Sequence, residues 1–136
     1  MGPAIENIAI VSRQKVRASI IEELIKNSFG IDVNTFVIDP NEVLNHTKLK
    51  ERYLIILDLM GVDIPAKKII SELKKNYRNS AIIALHMYRS ANLVKPLFDF
   101  GVNGYVYCEP TKDELHEAIQ KVVKGGRYVP SFLLAK

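Results

Sequence analysis

The chain has 136 residues, 19 basic and 15 acidic, giving a formal net charge of +4, with 48% apolar and 25% charged residues. A chain of this length fits one domain with a real core, and its composition excludes a disordered tail, a collagenous repeat and a disulfide scaffold. The lone cysteine, Cys108, has no intrachain disulfide partner, which fits a reducing compartment. No apolar run reaches the roughly 20 residues that a membrane span needs. The opening Met1-Gly2-Pro3-Ala4 lacks the basic-then-apolar pattern of a signal peptide, so a cytoplasmic location is expected. Lysines are scattered in pairs among glutamates, and the charge alone is no nucleic-acid footprint.

No linker or repeat interrupts the chain, and its apolar runs keep a regular rhythm. Ile8-Ala9-Ile10-Val11 is β-branched and predicts a buried strand. Val16, Ile20, Leu24 and Phe29 follow at helical spacing, and Gly30 ends that helix. Val33 to Ile38 predicts the second strand. Asp39 then reads as an N-cap with Pro40 at the first helical position. Tyr53 to Leu57 predicts the third strand, and Pro65 opens a helix through Tyr77 with Ile69, Ile70 and Leu73 as its buried stripe. Ala81 to Leu85 predicts the fourth strand. The next helix runs from about Asn92 to Phe100 and stops at Gly101; Pro96 inside it predicts a loosened or late-starting helix. Gly104 to Tyr107 predicts the fifth strand. Thr111 to Glu114 is a capping box opening the last helix, whose stripe is Leu115, Ala118, Ile119 and Val122.

Continuous apolar strands alternating with helices imply an α/β fold with a parallel sheet covered on both faces. Five strands point to the flavodoxin-like doubly wound order 2-1-3-4-5, whose functional crevice lies beyond the carboxyl ends of strands 1 and 3. The strand tips therefore carry the candidate chemistry. They are Ser12, Arg13 and Gln14 after strand 1, Asp58 after strand 3, His86 and Met87 after strand 4, and Cys108 and Glu109 after strand 5. A carboxylate at the end of a buried central strand is costly unless paired, solvated or metal-bound. Asp58 reads as a nucleophile or metal ligand, or else as an acid capping nearby backbone N–H groups. Arg13 is close enough in this order to pair with Asp58, or else stands solvated at a helix start. His86 reads as an acid–base group, a polar filler or an exposed ring. Cys108 reads as a reactive thiol or a small buried side chain. Glycine-rich phosphate loops, CxxC, HExxH and nucleophile-elbow motifs are absent from the sequence. His46, His86 and His116 lack metal-ligand spacing, so no metal site and no independent enzyme are expected.

Four stretches together resemble a bacterial response-regulator receiver domain (CheY-like), of the NarL/LuxR type in particular. They are Leu54 to Met60, Phe100 to Tyr105, Thr111 to Leu115 with Ala118-Ile119, and Gly125 to Val129. The resemblance covers about residues 6–130 of a single domain spanning 1–136, and makes 131–136 the start of a linker or tail. It implies two-component phosphorelay signalling, with Asp58 at the phosphoacceptor position and Tyr105 as the switch aromatic. The resemblance also implies Mg²⁺ bridging the acceptor to an acidic pair, a hydroxyl after strand 4 and a lysine after strand 5. Here the acidic pair is replaced by Ser12-Arg13, the hydroxyl by His86 and the lysine by Cys108. Because positioning and electrostatics supply most of phosphoryl-transfer catalysis, this degenerate pocket implies an atypical receiver acting without phosphorylation, through protein–protein interaction.

In this reading no cofactor is needed, and Arg13 fixes Asp58 in an ion pair. The implied partners are a signalling protein or histidine kinase, a second copy through helix 4, strand 5 and helix 5, and a C-terminal DNA-binding domain of a LuxR-type transcription regulator. One alternative is a conventional receiver phosphorylated on Asp58 by a histidine kinase. Another is a small-molecule or redox-sensing module with His86 and Cys108 in its pocket.

Overall fold

A computed structural model describes residues 7–30, 33–45, 54–77 and 79–134. Strands β1 (Asn7–Val11), β2 (Asn34–Ile38), β3 (Leu54–Asp58), β4 (Ala81–His86) and β5 (Gly104–Tyr107) alternate with helices α1 (Lys15–Phe29), α2 (Pro40–Asn45), α3 (Ala66–Asn76), α4 (Ala91–Phe100) and α5 (Lys112–Val123). A helical turn, α6 (Ser131–Leu134), follows. The five strands form one sheet in the order β2-β1-β3-β4-β5, and every pairing is parallel. This is the doubly wound order expected from the sequence. Ile10 stands opposite both Val37 and Ile56, which fixes the central register.

Strand side chains alternate between two faces, so the sheet builds two cores. Ala9, Val11, Ile55, Leu57, Ile82, Ala84 and Tyr105 point to one face, against Val43 of α2, Ile69, Ile70 and Leu73 of α3, and Val94 and Leu97 of α4. Ile8, Ile10, Leu54, Ile56, Ile83, Leu85 and Val106 point to the other, against Ala18, Ile21 and Ile25 of α1 and the α5 stripe. All five β3 residues are buried, Asp58 included.

Capping follows the sequence closely. Asp39 Oδ1 accepts from Asn41 N–H at 2.8 Å, and Glu42 Oε1 accepts from Asp39 N–H at 3.3 Å, so α2 starts in a reciprocal capping box. Thr111 Oγ1 accepts from Glu114 N–H at 3.1 Å. The Glu114 carboxylate accepts instead from the Tyr128 hydroxyl at 3.2 Å, which ties α5 to the segment after it.

One expectation, that for α4, is corrected, and two other features stand beside it. First, in α1 Val16 is 74% and Ile20 53% exposed, Leu24 packs at the margin of the second core, and Ala18, Ile21 and Ile25 face the sheet. The helix carries two apolar rows at similar spacing, and the row with the small Ala18 allows the closer approach. Second, α4 is neither loosened nor late. It runs unbroken over Ala91–Phe100 with Pro96 inside. Pro96 denies the Asn92 carbonyl its donor, but the Ser90 cap on Asn92 N–H at 3.2 Å and the burial of Val94 and Leu97 hold the helix. Third, Ser131–Leu134, within the segment read as the start of a linker or tail, forms α6, with Phe132 and Leu133 packed on the first core. His46 and Tyr53 lie outside the described residues.

Restoring the missing backbone bond should stabilise the domain. Pro96→Ala is expected to raise the unfolding free energy by about 1–3 kcal/mol, read from urea unfolding followed by circular dichroism.

Candidate functional site

Chain order reverses between β1 and β3, so their carboxyl ends flank the crevice of this fold. Ser12 leaves β1 with its N–H donating to the Ile38 carbonyl at 3.0 Å, which holds it beside the sheet. Asp58 ends β3 and is fully buried. Its carboxylate accepts four hydrogen bonds: Oδ2 from Ser12 Oγ at 2.8 Å and Arg17 Nε at 2.9 Å, Oδ1 from Arg17 Nη2 at 3.2 Å and Met60 N–H at 3.2 Å. An ionised carboxylate offers about four lone-pair positions, so its acceptor capacity is used.

The partner of Asp58 is therefore Arg17, and the expected Arg13 pairing is not formed. Arg13 turns away to Asp63, with Nη1 2.6 Å from Oδ1, and this pairing holds the Asp63 carboxyl below its ordinary range. Arg13 stands in the bend before α1, over the loop that follows β3, whereas Arg17 stands one helical turn later. From there its planar fork meets the carboxylate side on, a bidentate geometry that lysine lacks. The Arg17 side chain is 14% exposed and also reaches Glu109 Oε1, on the loop after β5, at 3.7 Å. The bond to Asp58 raises the Arg17 pKa above its ordinary value, against the opposing effect of burial. Sequence reasoning searched the tips themselves and stopped before the first turn of α1. Arg17 follows Arg13 at a spacing of four, but that spacing does not say which of the two reaches the β3 tip.

The structure brings the remaining tip residues around this pair. His86 ends β4 with its ring 4.1 Å from that of Tyr88, and its Nδ1 is buried without a hydrogen-bond partner among the described residues. Burial lowers the His86 pKa, and the nearby charge of Asp58 opposes that shift. The His86 carbonyl accepts from Cys108 N–H at 2.7 Å and from the Tyr105 hydroxyl at 2.9 Å. Cys108 is a partly buried free thiol held in the left-handed region at φ 59°, where a side chain is strained. Tyr105 is fully buried. Its single hydroxyl proton is shared between the carbonyls of His86 and Tyr88, the latter at 2.7 Å, and burial raises its pKa.

A hard divalent cation takes several oxygen ligands. Among the described residues this crevice offers the Asp58 carboxylate, already paired with a guanidinium that also approaches Glu109, and at the β1 tip a serine and an arginine in place of acids. Among the described residues no group of three or more His, Cys, Asp or Glu is placed to hold a metal ion. The residues present do not fit Mg²⁺. Nucleophilic attack by Asp58 would require one of its donors to leave first.

Comparison with solved structures places this geometry in a known frame. An RcsB response regulator from Salmonella typhimurium superposes with a TM-score of 0.76 at 19% identity, over 97% of this chain and 65% of that one. The chain has the receiver fold. The isolated REC domain of RcsB from Salmonella enterica serovar Typhimurium, with the phosphomimetic BeF3−, gives 0.74 at 18% identity over 96% of each chain. A LuxR-family two-component response regulator from Aurantimonas sp. SI85-9A1 gives 0.75 at 19% identity, over 94% of this chain and 92% of that one. The sequence matches no protein-family model and no curated protein. No helix among the described residues is long and apolar enough to cross a membrane.

Removing Arg17 leaves a buried, uncompensated carboxylate. Arg17→Ala is expected to cost about 3–5 kcal/mol of stability by chemical denaturation, and adding Asp58→Asn should recover a large part of it. His86 generates a pH dependence. Its folded pKa is depressed below the ordinary 6.5, so the unfolded chain binds the proton more readily. Stability should be full above pH 6.5 and fall as pH drops through the lower folded value. His86→Gln should flatten this slope in thermal melts across that window.

Proposed function

We propose that this chain is an atypical receiver, a signalling module that works by protein–protein interaction and does not use phosphorylation of Asp58. The observation that carries this reading is the saturated Asp58 carboxylate, with Arg17 in bidentate contact and Ser12 and Met60 on the remaining positions. Phosphoryl transfer depends on an in-line nucleophile and on cations that neutralise the developing charge. Here the nucleophile's lone pairs are occupied, and the local cation is spent on the acceptor itself. Further support comes from the absence of the hydroxyl and the lysine that would grip the phosphoryl oxygens, since His86 and Cys108 stand in their places.

The docking face in this reading is the one formed by α4, β5 and α5, and the partner is a second copy of the chain. RcsB dimers bound to DNA supply the analogy. A DNA-binding output domain downstream and a cytoplasmic location belong to the same reading.

The test is intact mass spectrometry after incubation with a small phosphodonor and Mg²⁺. No phosphate adduct is expected on the native chain. A stoichiometric adduct that disappears in Asp58→Asn would overturn the proposal in favour of a conventional receiver driven by a histidine kinase.

A further inference from the structure

The sheet has two edges, and the β5 edge is covered by the chain's own C-terminal segment. We propose that residues 127–134 form a cis-acting strap that closes the β5 edge against a second copy of this chain. This rests on the docking face named above and adds a means of controlling it.

The strap is pinned at three points. Tyr128 lies along β5 as a parallel bridge to Gly104: Tyr105 N–H donates to the Tyr128 carbonyl at 3.0 Å, and Tyr128 N–H donates to the Asn103 carbonyl at 3.1 Å. Gly104 permits this approach, since a Cβ there would stand 3.3 Å from Tyr128 Cβ and 3.2 Å from Val122 Cγ2. The Arg127 guanidinium lies 5.5 Å from the ring centre of Phe98, which fastens the strap to α4. Finally, α6 sets Phe132 edge-on to Tyr107, with ring centres 5.7 Å apart. Arg89 stands 5.1 Å from the Tyr107 ring and 5.0 Å from that of Phe132, so one cation serves both rings.

Beside these pins the packing is open. A cleft of about 800 Å³ lies between the strap residues Val129 to Phe132 and the α5 side chains Glu114, Glu117 and Lys121. Phe132 and Leu133 pack at the margin of the first core and Tyr128 at that of the second, and a segment after the last long helix, flanked by a cleft, opens locally at less cost than the sheet beneath it. Opening it uncovers the unpaired N–H and C=O row of an edge strand. That row is identical in two copies, so an isologous contact is self-matching.

The test uses the full chain and three variants in sedimentation equilibrium: Phe132→Ala, Arg89→Ala and the control Phe132→Tyr, which keeps the ring. Amide exchange at Tyr128 N–H, which bonds the Asn103 carbonyl only while the strap is closed, reports opening whether or not the exposed β5 edge pairs with a second copy. Native chain and Phe132→Tyr are expected to stay monomeric with a protected Tyr128 amide. Phe132→Ala should dimerise at least about tenfold more tightly and exchange that amide faster, in line with losing one ring–ring and one cation–ring contact. Arg89→Ala removes a surface side chain and tests the same pin should Phe132→Ala fail to fold. A native dimer that keeps the Tyr128 amide protected would overturn the strap while leaving the docking face standing. Variants that expose the amide and still remain monomers would overturn both.

Discussion

A carboxylate with no solvent exposure at the centre of a parallel sheet must find compensating charge inside the protein, and here Arg17 supplies it. Taking both charges out of water costs several kcal/mol, repaid only when geometry and remaining lone pairs are satisfied. That condition is met by the side-on guanidinium, the Ser12 hydroxyl and the Met60 N–H. The arrangement ties α1 to β3 at one point and, through Glu109, approaches the loop after β5. Three elements are thus referenced to a single buried charge. The pair makes specificity of conformation its stronger effect, because its net contribution to stability is small compared with the loss on breaking it.

In the proposed reading the same pairing bears on the chemistry. A phosphoacceptor needs a free oxygen, a cation that leaves that oxygen nucleophilic, and donors aimed at the charge that develops on transfer. Arg17 is a cation of fixed charge that contacts both carboxylate oxygens, so in that reading it stands in for a metal electrostatically and leaves Asp58 a poor nucleophile. Arg13 adds nothing at this point, since Asp63 neutralises it outside the crevice. His86 and Cys108 complete a rim with no matched acid and base. Burial disfavours the charged form of the His86 ring, and its Nδ1 has no hydrogen-bond partner among the described residues.

The fold was legible because its signals are local and repeated. β-branched runs such as Ile8 to Val11, capping residues such as Thr111, and terminators such as Gly101 each decide a few residues, and together they leave one doubly wound order. Asp58 was legible for the same reason, as a charge breaking an apolar strand. Arg17 was missed because its role depends on where a helix points relative to a strand more than 40 positions away, which periodicity does not encode. The choice of buried row on α1 has the same origin. Rows 16/20/24 and 18/21/25 are both apolar, and only the approach of the sheet selects between them. Pro96 misled in the opposite direction, because a local penalty was outweighed by the tertiary burial of Val94 and Leu97.

Tyr105 joins the crevice to the edge of the sheet. Its hydroxyl is held by the carbonyls of His86 and Tyr88, and its backbone N–H by the carbonyl of Tyr128 in the strap. In a receiver whose signal travels by rotation of this aromatic, the hydroxyl must be free to leave. Here the ring is fully buried, and withdrawing it would take the hydroxyl donor from the Tyr88 carbonyl and open a cavity in the first core. The backbone bond to Tyr128 carries no such burden, since strap and edge strand can each turn to water. In the proposed reading the element with the lowest cost of movement is the strap, and the β5 edge is where this domain would change what it presents.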